Sequence, residues 1–251
     1  MKNASGNVFF LIMIAIGLFA AVSYTLSSGS GPASGGISEE ESDLLASEIV
    51  QYATRMKQVV RDLRMLKDCE DTEISFLYDS DGDGTLETDG SDWYYNANSP
   101  TDYSCNVFHS NGGGLSVKPV DTDILDASLS AEVGYGRWLF IRERINEVGQ
   151  TACGNECADV FAIAPYVQKE VCLSINKQLG IPEYSGEPPQ ESDDIHLWPS
   201  YYYDGLFDTS GQLSSGTRPF DGVRAGCIEG GALGGTDQSG RYYFYTVLIE
   251  R

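Results

Sequence analysis

Asp79-Ser80-Asp81-Gly82-Asp83-Gly84-Thr85-Leu86-Glu87-Thr88-Asp89-Gly90 carries the densest chemistry in the chain. Asp at alternate positions followed by Gly is how a calcium loop gathers hard oxygen ligands; the Gly allows the sharp turn and the seventh residue offers its carbonyl. Asp79, Asp81 and Asp83 are the first ligand candidates, Glu87 the next, with Thr85 through its carbonyl and Asp89 as a further acid. Gly90 stands where an EF-hand loop places a bidentate Glu, and a strand over Glu73–Tyr78, not a helix, precedes the loop. The expected cofactor is a structural Ca²⁺ in an isolated loop, because carboxylates this close repel one another and a dication stiffens them. The competing reading is an acidic Asp-Gly turn without an ion.

A second constellation lies at Asp193-Asp194-Ile195-His196-Leu197-Trp198-Pro199-Ser200-Tyr201-Tyr202-Tyr203-Asp204. Exposed aromatics stack on the apolar faces of ligands, so His196, Trp198, Tyr201 and Tyr203 are candidates for a sugar- or partner-binding loop. Packing of a long loop onto its domain explains the same composition. Neither His109 nor His196 stands in a triad motif, and Gly-x-Ser-x-Gly and His-Glu-x-x-His are both absent from the sequence. The expectation is a protein that is not an enzyme.

Charge narrows the partners. Among 251 residues, Lys and Arg number 16 against 37 Asp and Glu, a net charge of −21. Nucleic acid and anionic lipid surfaces both need clustered bases, so neither is expected as a partner of the folded body.

The six cysteines, Cys69, Cys105, Cys153, Cys157, Cys172 and Cys227, all follow an apolar run near the N-terminus. Cys153-Gly-Asn-Glu-Cys157 lacks a second pair at zinc-ribbon spacing, which favours structural disulfides in an oxidising compartment. Six cysteines allow about fifteen pairings. The expected set is Cys69–Cys105 closing a strand pair, Cys172–Cys227 tying a helix to the last sheet, and Cys153–Cys157 locally.

These groups must be positioned by an ordered body, and the order begins with that apolar run. Val8 to Val22 has no polar side chain, and the run extends to Leu26. About nineteen helical residues at ~1.5 Å each reach roughly 28 Å, near the thickness of a bilayer's hydrocarbon core. Lys2 precedes the run and no base follows until Arg55. The charge bias predicts a single-pass membrane protein with its N-terminus in the cytoplasm and an extracytoplasmic domain.

Here the residues resemble a family. A short leader with a Lys, ending in Gly6 and followed by Asn7-Val-Phe-Phe-Leu-Ile-Met-Ile-Ala-Ile16, looks like that of a type IV prepilin or pseudopilin. The resemblance implies cleavage between Gly6 and Asn7 by a prepilin peptidase. It also implies residence in the inner membrane before assembly, and packing of the apolar helix into a filament of like subunits exposed at the cell surface. Leu11 stands near where the family usually carries a Glu, so register in such a filament would rest on packing.

Residues 27–37, Ser-Ser-Gly-Ser-Gly-Pro-Ala-Ser-Gly-Gly-Ile, read as a flexible linker, since Pro32 and the glycines stop a helix. Ser38-Glu-Glu-Glu41 forms a capping box, and Leu45, Ile49, Tyr52, Ala53, Met56, Val59, Val60, Leu63 and Leu66 recur at three and four residues to about Lys67. Strands are expected at 73–78, 114–119 and 241–249, a strand or the start of a short helix at 136–142, and a helical segment over 156–180 broken or started afresh at Pro165. Residues 183–215 read as loop. The fold class is α+β: an N-terminal transmembrane or assembly helix and a Gly/Ser linker lead into a long amphipathic helix packed on an antiparallel sheet with an inserted helical segment. The divisions are leader 1–6, apolar helix 7–26, linker 27–37 and an extracytoplasmic domain 38–251. The expected function is a structural subunit of a pilin-like extracellular filament or secretion pseudopilus; the alternative is a membrane-tethered extracellular Ca²⁺-dependent binding module for adhesion or for a carbohydrate or protein partner.

Overall fold

The computed structural model describes residues 37–80, 85–86, 93–149, 157–193, 195–208, 211–232 and 237–251. The leader, Gly6 and Asn7, the apolar run, most of the linker, Asp81, Asp83, Glu87, Asp89 and Cys153 lie outside the described residues. The chain divides into two units, Met1–Ser38 and Glu39–Arg251, and every described helix and strand belongs to the second.

Helix α1 spans Glu39–Leu66. Neither Gly nor Pro interrupts it, Glu39, Glu40 and Glu41 occupy its positive end, and Arg64 its negative end. Its buried stripe is Ser42, Ala46, Ile49, Ala53, Met56, Val60 and Leu63, one residue every three or four. Asp68 then adopts a left-handed conformation (φ 57°), and the Cys69 amide donates back to the Leu63 carbonyl at 3.2 Å. That turn aims Cys69 at Cys105, to which it is bonded.

The sheet runs in the order β3-β1-β2-β5-β4. Its strands are β1 (Leu139–Ile145), β2 (Asp159–Val167), β3 (Gln212–Leu213), β4 (Ala225–Glu229) and β5 (Tyr242–Ile249). Pairs β1–β2, β2–β5 and β5–β4 are antiparallel, whereas β3 joins β1 in parallel. β2 is buried along its whole length and β5 along all but its first residue, which is why both read as continuous apolar runs and not as alternations. Registers Phe140↔Ala162, Ala162↔Thr246 and Ala164↔Phe244 place these side chains on one face. α1 covers that face: the Tyr52 ring lies 5.6 Å from Trp138, which in turn lies 6.0 Å from Phe244.

Helix α2 (Lys169–Leu179) packs beside α1, where Ser174 donates to Ser42 at 3.2 Å; two small side chains permit the close approach. Gly180 ends α2 at φ 72°, a conformation glycine adopts without steric cost. Cys172 of α2 is bonded to Cys227 of β4 with Cα atoms 5.2 Å apart. One turn further on, the buried Asn176 carboxamide imitates a strand: Nδ2 donates to the Cys227 carbonyl and Oδ1 accepts the Cys227 amide, both at 2.8 Å. Glu191 and Pro189 continue along the same edge of β4 through backbone bonds to Glu229. The β4 edge is thus covered, and Tyr202 and Tyr203 pair with the part of β1 that β3 leaves open.

Several expectations are corrected. The fold class is not a helix-led body on an antiparallel sheet. The described residues hold two α-helices, a mixed sheet and no long N-terminal apolar helix. The first part of the expected helical segment is a strand, and only its second part is helical, as α2: β2 begins at Asp159, and Pro165 and Tyr166 form an irregularity in it, with Tyr166 at φ 67°. Pro165 marks a bulge, where a strand tolerates a missing donor, and not a helix break. Residues 73–78 make only an isolated bridge, Ser75↔Asn106, after a 3₁₀ turn at Asp71–Glu73, and residues 114–119 form no strand.

The placement as a single-pass membrane protein is also corrected. Among the described residues no helix is long and apolar enough to cross a membrane. α1 has the length but carries charge along its exposed side, and α2 has only 11 residues.

Candidate functional site

Loop 195–208 folds onto β1, and it separates the four aromatic candidates. β1 supplies Glu143, fully buried, whose Oε1 lies 2.5 Å from His196 Nδ1, within ion-pair distance. The Tyr201 ring stacks on the imidazole with centroids 4.3 Å apart and planes 18° from parallel. Trp198 stands outward, 56% exposed, at the head of the 3₁₀ turn Pro199–Tyr201. Tyr203 turns the other way, into the core, where its hydroxyl donates to the Asp71 carbonyl at 2.5 Å. His196 and Tyr201 therefore share a site, Trp198 lies at its rim, and Tyr203 is a packing residue.

The loop is held by β1's neighbouring residue as well. Arg142 reaches Asp208 at 2.7 Å, Asp204 at 2.9 Å and the Ser200 carbonyl at 3.4 Å. Gly211 makes room for the carboxylate: a β-carbon there would lie 2.0 Å from Glu143 Oε1. A buried carboxylate fixes the orientation of an imidazole, which can then take or give a proton or ligate a metal. Sequence reasoning misses Glu143, because nothing in Leu-Phe-Ile-Arg-Glu-Arg-Ile distinguishes a buried acid from an exposed one.

Only the feet of the acidic loop fall within the described residues. Asp79 and Thr85 are described; the remaining ligand candidates are not, and among the described residues no group of three or more His, Cys, Asp or Glu is arranged to hold a metal ion. The feet themselves are drawn together. Asn96 Nδ2 donates to the carbonyls of Ile74 at 2.7 Å and Thr72 at 2.9 Å, and the Tyr78 and Tyr94 rings stack at 6.2 Å. Asn106 holds Leu77 in the same way, donating to its carbonyl at 2.9 Å. The residues that flank the acidic stretch are thus anchored to one another.

Cys69–Cys105 and Cys172–Cys227 are the expected pairs, and two disulfides accord with an oxidising extracellular setting. Cys157 is also disulfide-bonded; Cys153, its expected partner, is outside the described residues. Asp159, Glu191 and Glu229 are buried as well. Burial pushes the Asp159 carboxyl up to about 6, against the opposing bonds it accepts from the Ile145 and Arg251 amides. Burial likewise pushes Glu191 up to about 7 although it accepts the Ser214 amide at 2.9 Å. Asp159 is the register partner of Glu143 in the β1–β2 ladder, and both are buried.

Surface depressions also lie elsewhere on the domain. One of about 170 Å³ is lined by Tyr52, Tyr78, Phe108, Trp138 and Arg137, among others. Another, an open groove of about 850 Å³, lies at the C-terminal end of α1 beside Arg61, Arg64, Met65 and Arg251.

No protein-family model matches the chain, and no match is found among curated proteins or solved structures.

Proposed function

We propose that the protein is a structural subunit of a pilin-like extracellular filament or secretion pseudopilus. The observation that carries this reading is α1. A 28-residue helix begins directly after the linker, lies along one sheet face through a single buried stripe and leaves its other side exposed. Such a rod is what a subunit needs to join an apolar N-terminal packing segment to a surface domain. Two disulfides suit an assembly outside the cell. The Gly6–Asn7 boundary supplies the processing site for a prepilin peptidase, residues 7–26 the packing segment, and other copies of the chain the partners. Ca²⁺ bound through Asp79, Asp81, Asp83 and Glu87, with Thr85 and Asp89 in reserve, would brace the domain surface.

Mass measurement of the native protein tests the processing step, and electron microscopy of the purified assembly tests the product. An N-terminus at Asn7 together with filaments is expected; an intact Met1 and dispersed particles would overturn the reading.

A second reading, an extracellular Ca²⁺-dependent binding module, draws on the outward Trp198 beside the His196–Tyr201 stack. A panel of oligosaccharides that quenches Trp fluorescence in the parent but not in Trp198→Ala would favour it.

A further inference from the structure

Charge on α1 is segregated along its axis. Glu39, Glu40, Glu41, Asp43 and Glu48 fill the first part, while Arg55, Lys57, Arg61 and Arg64 fill the second with Asp62 as the one intruder. Some of these charges are engaged within the domain. Lys177 takes Glu39 at 2.8 Å and Asp43 at 3.6 Å, Lys118 takes Glu48, and Arg64 meets Asp71 at 2.7 Å. Arg61 lies 3.9 Å from Asp62, and the side chains of Glu40, Glu41, Lys57 and Arg61 all reach the surface.

Each pole also exposes an apolar side chain. Leu44 is 69% exposed and follows Glu40 by four residues and Glu41 by three, so the three share one helical face. Met65 is 73% exposed and follows Arg61 by four and Lys57 by eight, a second row of the same make-up with opposite charge. Leu66 is 79% exposed, and Met65 lines the open groove with Arg61, Arg64 and Arg251, which Glu70 and Asp71 border as acids. A solvated helix surface does not ordinarily carry exposed Leu and Met among clustered charge at both ends; Asp62, three residues before Met65, is the one acid in the basic row.

We infer that the basic pole of α1, with Met65, docks the acidic pole of α1, with Leu44, on a second copy of this chain. The partner is fixed by complementarity: in a chain of net charge −21 the basic pole is the exceptional surface, and the acidic pole offers opposite charge around a matching apolar residue. The two poles are different patches roughly 30 Å apart along one rigid helix at ~1.5 Å per residue. The contact is therefore heterologous and repeats head to tail without using up either end. This deepens the filament proposal, on which it rests, by naming a contact outside the N-terminal segment.

The test uses the full chain carrying Leu44→Cys and Met65→Cys together. The two new thiols cannot reach one another within a molecule, so oxidation should yield a ladder of crosslinked oligomers at low salt. The ladder should be lost in 1 M NaCl, where screening shortens to about 3 Å. It should also be lost with Lys57→Glu and Arg61→Glu, and regained when Glu40→Lys and Glu41→Lys are added. Arrest at a dimer would show an antiparallel closed pair and overturn the proposal. So would equal crosslinking of the Leu44→Cys chain alone, or no crosslinking. Filaments in micrographs without a ladder would sink this contact and leave the filament reading standing; a ladder without filaments would do the reverse.

Discussion

Replacing Asn176 by Ala should destabilise the domain by about 2–4 kcal/mol, because two buried backbone groups lose their only partners on that side of β4. The Asn176 carboxamide is fully buried and bonds the Cys227 amide and carbonyl at 2.8 Å each. Water cannot replace it, since Cys227 is itself fully buried. Each orphaned group costs about 1–3 kcal/mol, and relaxation of the edge strand recovers part of that. For a domain of this size the loss corresponds to a drop in Tm of roughly 5–15 °C. Thermal unfolding followed by far-UV circular dichroism, with the cystines intact, measures it.

Hydrogen exchange should locate the damage in β4 and the adjoining residues of β5. The Cys172–Cys227 bond spans the same joint with a sequence separation of 55, for which loop closure contributes about 4 kcal/mol. Removing both cysteines as well should therefore cost less in the Asn176→Ala background than in the parent, by about 1 kcal/mol or more. A Tm change below about 2 °C for Asn176→Ala alone would refute the reasoning, since the carboxamide would then be replaceable.

Three further outcomes are expected. Asp159 and Glu191 hold protons in the folded state that the unfolded chain releases, their carboxyls moving from 3.8 to about 6 and from 4.5 to about 7. Their contribution is fully present below pH ~4 and lost as pH rises through ~7, on the order of 3 kcal/mol each; urea midpoints should fall from pH 5 to pH 8, and Glu191→Gln should flatten that slope, whereas a flat parent profile would contradict it. Gly211→Ala should drive a methyl group into the Glu143 carboxylate, costing about 1–3 kcal/mol and shifting the His196 ring resonances in an NMR spectrum. Unchanged resonances would mean that the pair tolerates the intrusion. Chelation should lower the Tm of the parent but not of Asp81→Ala, and equal response of the two would remove the calcium proposal.

Legibility in the sequence depends on how local the cause of each element is. α1 is legible because its stripe, its acidic first turn and the absence of Gly and Pro all act within a few residues. β5 is legible because Tyr-Tyr-Phe-Tyr-Thr-Val-Leu-Ile is apolar throughout, which suits only a strand covered on both sides. β2 is not. Asp-Val-Phe-Ala-Ile-Ala-Pro-Tyr-Val suits a buried strand or a buried helix equally by pattern, and only pairing with β1 on one side and β5 on the other decides between them. The aromatic loop is visible as composition. Which ring faces water is decided by where β1's edge lies, sending Tyr203 inward and Trp198 outward.

The sequence by itself determined the charge, the cysteine supply, the long amphipathic helix and the acidic Asp-Gly stretch, since each is a property of neighbours along the chain. The tertiary structure alone decided that Glu143 meets His196 across 53 residues and that Asn176 completes the edge of β4 across 51. It also decided that Asp159 and Glu191 are removed from water. Burial and long-range hydrogen bonding are set by which segments exclude solvent together, and no spacing within a single segment carries that information.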